Sequence, residues 1–154
     1  MMEELKEKVL QAQSEGDIAS LYVLESQVRD SFNEETLISF YANILDLALE
    51  RLTNTLETFS KLSMNEVQDF ATLRALYEFA VEHYSAGSSH DASALFEVLS
   101  GISDDDKFSQ AMKTHQNACD AKISFDEFID EYVEMELTQS SGNFYICYFK
   151  KEIK

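Results

Sequence analysis

The chain contains no proline and only four glycines in 154 residues. Proline breaks helix interiors and glycine weakens them, so their scarcity favours long helices. Cysteine is almost as rare. Cys119 and Cys147 have no CxxC neighbour, which excludes the common zinc and dithiol redox motifs. No apolar run approaches the ~20 residues of a membrane span. The stretch "MMEELKEKVLQAQSEG" has no apolar core of signal-peptide length. These absences predict an intracellular, cytoplasmic protein with reduced thiols and no membrane partner.

Positive charge is also scarce. Lys and Arg number 12 against 29 Asp and Glu, for a formal net charge of −17 and a pI near 4.3. Such a surface repels phosphate backbones and anionic lipid, which argues against a nucleic-acid partner and against membrane attachment. It attracts a basic protein or the basic segment of one. An acidic outer face that serves solubility alone is the other reading.

Apolar residues make up 45% of the chain and include 11 Phe and 7 Tyr. At this length one core can bury roughly two thirds of the unfolded chain's surface. A single all-helical domain over residues 1–154 is the expectation.

Helical periodicity runs through most of the sequence. Leu5, Val9, Leu10 and Ala12, on or near one face, mark a helix from Met2 to Ser14, which "SEGD" interrupts. Leu21, Leu24 and Val28 mark a second, from about Ile18 to Arg29. Asn33, followed by Glu34 and Glu35, has the chemistry of an N-cap. The helix it starts carries Ile38, Tyr41, Leu45, Ala48, Leu52, Leu56 and Phe59 at steps of three and four. From Thr36 to Leu62 it would span about 40 Å. That stripe suits a coiled-coil seam or the spine of a bundle.

Ser63 and Glu66 have capping-box spacing for a helix that ends near Gly87. "SSHD" restarts a helix through "ASALFEVL", which Gly101 ends. Ser103 caps the next helix, with Asp104, Asp105 and Asp106 in its first turn, and that helix fades near His115. "QNACDAK" reads as a loop, and Ser124 and Glu127 as a capping box for a helix through Met135. The tail "NFYICYF" is aromatic and β-branched. It reads as a strand or as a short terminal helix packing Phe144, Cys147 and Tyr148, and the helix is the expected form because no other strand is predicted to pair with it.

The segment "CDAKISFDEFIDEYVEM" shares the exit of an EF-hand calcium loop. With Glu127 at the last loop position, Gln116 falls at the first, Ala118 at the third and Asp120 at the fifth, with Ala121 where Gly makes the turn. Two charged ligands remain, whereas calcium takes roughly six to eight oxygens. A degenerate, EF-hand-like regulatory protein is one alternative. A second is a metal-dependent hydrolase built on Glu82, His83, His90 and Asp91. The two histidines lie only seven residues apart across a predicted turn, a spacing that fits helix-face residues as well. His115 has no nearby Cys, His or paired carboxylate in the sequence. With no Gly-rich phosphate loop and no GxSxG, the chain reads as a non-enzyme without metal or cofactor.

Residues 76–99, "LYEFAVEHYSAGSSHDASALFEVL", carry Ala80, Gly87, Ala92 and Phe96 with apolar Leu76 and Phe79 before them. This pattern resembles one tetratricopeptide repeat. The resemblance implies an antiparallel helix pair in which Ala80 and Ala92 let the helices approach, Gly87 makes the turn and Phe96 fills the space toward the next pair. Tyr84 beside the small–Gly–small pattern is similar to the class II chaperones of type III secretion. Leu99 and Asp104 depart from the repeat, where a small residue and Pro are usual.

The expected fold is therefore all-α, a bundle or short helical-hairpin array of five to seven helices. The expected function is a chaperone or adaptor that holds a peptide or helix of a protein partner. Arg74, Tyr77 and Tyr84, at spacings of three and seven, are the candidate partner-binding residues. Two half-buried core tyrosines are the competing reading of Tyr77 and Tyr84.

Overall fold

The computed structural model describes residues 2–153, so Met1 and Lys154 at the ends of the predicted domain lie outside the described residues. The fold is all-α. Six helices of 14 residues or more form its body: α1 (Met2–Glu15), α2 (Ile18–Ser31), α3 (Glu34–Glu57), α4 (Val67–Ser85), α5 (Ser89–Ile102) and α6 (Asp106–Asp120). A short α7 (Phe125–Glu127) runs into a π-helical turn (Phe128–Tyr132), and α8 (Met135–Ser141) precedes the tail. Helix α4 is the hub. It packs on α2 and α3 on one side and on α5 and α7 on the other, while α6 covers α5 and α1 covers α2.

Local chemistry explains most of the boundaries. The Asn33 side chain accepts from the Thr36 N–H at 2.8 Å and starts α3. The Ser124 hydroxyl accepts from the Glu127 N–H at 3.2 Å and starts α7. At the end of α4, Gly87 sits at φ +89, which only glycine adopts cheaply. Its N–H reaches the Tyr84 carbonyl, and the Ser88 N–H reaches that of His83. Ala80, Ala92 and Phe96 are fully buried across the α4–α5 hairpin that this turn closes.

Elsewhere tertiary contacts move the boundaries. The α4 cap is Glu66, whose carboxylate accepts from the Asp69 N–H at 2.9 Å. Ser63 is held outside the helix because neighbouring Leu62 pairs with the backbone of Ile102 and Asp104. Gly101 lies within α5, and Asp105 rather than Ser103 caps α6. Helix α6 does not fade at His115. It continues to Asp120, since residues 116–118 bring no stop signal, and Lys122 at φ +60 ends it in place of a glycine.

The helix that the sequence predicts through Met135 breaks at Val133, which is extended and buried. The tail is not a helix. Gly142, at φ +73, ends α8, and the chain returns as an extended strap. The Glu134 N–H donates to the Tyr148 carbonyl at 2.8 Å, and the Lys150 N–H to the Tyr132 carbonyl at 2.7 Å. The break at Val133 thus supplies the edge that the tail needs. Tyr145 is the buried residue of the strap, while Phe144, Cys147 and Tyr148 remain partly exposed.

Helix α3 departs from the sequence reading in a different way. It is apolar on more than one face, and α4 takes the side carrying Phe40, Ile44 and Ala48. Of the stripe expected to form the spine, Ala48 is buried and Tyr41, Leu45 and Leu52 are partly buried, while the ends lie outward, with Ile38 63% and Leu56 50% exposed.

Candidate functional site: the groove between α2, α3 and α4

The two faces of α4 carry different chemistry. Toward α5 and α6 it is sealed. The Tyr77 hydroxyl accepts from the Ile146 N–H at 3.1 Å and lies 2.9 Å from Nε2 of His115. His115 Nδ1 is 2.6 Å from the Ala111 carbonyl, so Nδ1 carries the proton and Nε2 accepts from Tyr77. Rings of Tyr77, Phe96, Phe128 and Phe149 surround the imidazole. Burial lowers the His115 pKa to about 4 and keeps the ring neutral. The Tyr84 hydroxyl donates to the Ile123 carbonyl at 2.7 Å. Burial raises the pKa of both tyrosines.

Tyr77 and Tyr84, with exposures of 5% and 2%, therefore offer no surface to a partner. They are the core tyrosines of the competing reading, because their polar tips are satisfied inside the protein. Arg74 is separated from them. It turns toward α2, where its Nη2 meets Glu25 at 3.2 Å, its Nε meets Glu78 at 3.5 Å, and its guanidinium lies over the Tyr22 ring at 3.9 Å.

That arginine anchors a chain of polar contacts. The Tyr41 hydroxyl donates to Glu25 at 2.6 Å, and the Tyr22 hydroxyl donates to Glu78 at 2.9 Å. The sequence Tyr41–Glu25–Arg74–Glu78–Tyr22 thus ties α3 to α2 and α2 to α4. Desolvation, then the bond to Glu25, pushes the Tyr41 pKa up to about 12. Desolvation and the Glu78 charge raise that of Tyr22 as well. Both hydroxyls therefore remain protonated donors at neutral pH.

Tyr22, Glu25, Tyr41 and Glu78 line a groove of about 720 Å³. Leu37, Ile38, Leu45, Ala75 and Phe79 make its apolar lining, and Glu25, Glu78 and Glu82 supply carboxylates beside Arg29, with Arg74 paired to the first two. Such a cleft can hold an apolar stripe and pair with cations beside it. Helical spacing in the sequence exposes Arg74 and Glu78 as an i,i+4 pair, but nothing there brings in Glu25, which is 49 residues from Arg74.

The other sequence candidates are dispersed. Gln116, Ala118 and Asp120 lie on α6, so the twelve-residue loop of an EF-hand does not form, and Asp120 accepts from Ser93. His83 packs on the Phe79 ring at 4.6 Å, and His90 is exposed on α5. Among the described residues, no three His, Cys, Asp or Glu side chains converge as metal ligands. None of the helices is long and apolar enough to cross a membrane, again among the described residues.

Compared with protein-family models, curated proteins and solved structures, the chain matches none.

Proposed function

We propose that this protein is a non-enzymatic binding module, a chaperone or adaptor, that holds a helix of a protein partner between α2, α3 and α4. The observation that carries this reading is the groove, with its apolar lining and carboxylates. A helix presents apolar side chains every three or four residues, and a groove between helices accepts them in that spacing. The ionisable groups beside the groove support binding rather than chemistry, since Arg74 is matched by two carboxylates and both tyrosines are bonded to acids. The tetratricopeptide-like hairpin at residues 76–99 is in keeping with a protein-binding scaffold, with the groove on the side of α4 away from Tyr77 and Tyr84. A cytoplasmic setting belongs to the same proposal.

Site-specific photo-crosslinking in the native host tests it. A crosslinking residue at Ile38 or Phe79 should capture one and the same protein, through a segment of helical spacing. Crosslinks from exposed Lys113 on α6 should not yield that protein. Capture of the same protein from all three positions, or from Lys113 alone, would reject the groove.

A further inference from the structure

Helix α3 carries a second apolar face that the rest of the described chain covers only in part. Ile38, Leu45 and Leu52 stand seven residues apart, and so do Ala42, Leu49 and Leu56. The two series interleave at steps of four and three, the spacing of a coiled-coil seam. At 100° per residue they fall within one stripe, turned by roughly a third of a circle from the buried Phe40–Ile44–Ala48 side. Ile38, Ala42 and Leu56 are exposed, and Leu45, Leu49 and Leu52 are half-buried. Ile38, Ala42 and Leu45 also line the groove, so the seam continues it along α3. From Ile38 to Leu56 it runs about 27 Å, five turns of helix.

Charge selects the occupant. On the solvent flank of the seam stand Glu35, Asp46, Glu50 and Glu57, all exposed, with no Lys or Arg among them. Beyond the opposite edge lie Glu25, Glu78 and Glu82, offset in part by Arg29 and by Arg74, which pairs with the first two. A second copy of α3 would bring the same carboxylates against these, and like charges across an interface are costly. A helix with an apolar stripe flanked by Lys and Arg would match the edge of Glu35, Asp46, Glu50 and Glu57.

Just past the end of α3, Phe59 is held at φ +54 and is 96% exposed. A bulky residue is strained there and gains nothing from burial, where glycine would serve the turn more cheaply. An aromatic side chain at the end of an open seam gains its burial when a partner covers it.

We infer that the partner segment is a basic amphipathic helix, which docks along the Ile38–Leu56 seam of α3 in coiled-coil fashion. The inference rests on the proposed binding function and specifies its ligand.

The test uses the full chain and two synthetic helical peptides. Both carry Leu at alternating steps of three and four over five turns. One has Lys at the flanking positions and the other has Glu. Calorimetry should show the Lys peptide binding at least about a hundredfold more tightly than the Glu peptide, with affinity falling as salt rises. Ile38→Asp with Leu56→Asp should weaken the Lys peptide by about tenfold or more while the helical signal persists, because both side chains are at least half exposed. Glu50→Lys with Glu57→Lys should weaken it by a similar factor of about ten.

Equal binding of the Lys peptide to the wild type and the Ile38/Leu56 variant would overturn the inference, since the attraction would then ignore the seam. A wild-type dimer in sedimentation that this variant dissolves would overturn it in favour of a second copy. Preference for the Glu peptide, or no binding of either, would also overturn it. The binding-module reading itself stands or falls separately, on the crosslinks from Ile38 and Phe79.

Discussion

Lowering the pH should loosen this protein, and His115 is the reason. Its ring is fully buried among aromatic rings, with Nδ1 on the Ala111 carbonyl and Nε2 on the Tyr77 hydroxyl. Burial lowers its pKa from the ordinary 6.5 to about 4. Between those values the unfolded chain binds a proton that the folded protein refuses. Stability therefore falls as the pH drops through 6.5, and this loss stops below about 4. Between pH 7 and pH 5 the linkage amounts to about 2 kcal/mol, and by pH 4 to about 3 kcal/mol.

Urea unfolding at pH 7 and pH 5, on the wild type and on His115→Gln, isolates the effect. Glutamine can still accept from the Tyr77 hydroxyl and has no proton to gain in this range. The 29 Asp and Glu side chains are common to both proteins, so their contribution cancels in the difference. The wild type should lose about 2 kcal/mol more than the variant over this interval. Equal losses in the two proteins would refute the argument, as would an imidazole that titrates near 6.5 by NMR in the folded state.

Other substitutions test the rest of the framework. Tyr77→Phe strands the buried His115 acceptor and the Ile146 N–H, and should cost about 2 kcal/mol in urea unfolding. A neutral result would mean that water serves both groups. Ala92→Leu should overpack the α4–α5 contact and lower stability by about 1–3 kcal/mol. Gly87→Val should lower it by about 1–2 kcal/mol from backbone strain alone, since an added Cβ meets no atom within 4 Å. Unchanged thermal midpoints for both would remove the hairpin. Phe59→Gly should raise stability by about 1 kcal/mol, read as a higher midpoint, by relieving the positive φ. Calcium should show no calorimetric dissociation constant at or below about 10 μM, and tighter binding would contradict a helix through Asp120.

The sequence made the helices legible because their signals are local. Periodicity, the Asn33 and Ser124 caps and the Gly87 turn each depend on residues within a few positions of one another. The boundaries that moved depend on distant partners. Ser63 and Glu66 satisfy the capping-box spacing, yet the pairing of Leu62 with Ile102 and Asp104 holds Ser63 out of the helix. Helix α6 ends on Lys122 in a left-handed conformation, where the sequence has no glycine to announce it. The tail's edge exists only because the helix before it breaks at Val133. The α3 stripe was visible, but which of two apolar faces α4 would cover was not, because both have helical spacing.

The same limit governs the candidate site. Tyr77 and Tyr84 lie on α4 and Tyr22 and Tyr41 beside it, and residue type alone gives the four equal standing. Position around the helix separates them. Leu73, Leu76, Tyr77, Ala80 and Tyr84 form its buried side, and the hydroxyls of Tyr77 and Tyr84 are bonded within the core. Ala75, Glu78 and Phe79 look into the groove, where Glu78 meets Tyr22, and Tyr41 reaches the same network through Glu25. Adjacent residues on one helix therefore answer to different demands. A change at Tyr77 is read by the core, whereas a change at Glu78 alters the charge at the groove and leaves the core packing in place. That separation lets the outer sides of α3 and α4 vary without dismantling the fold that presents them.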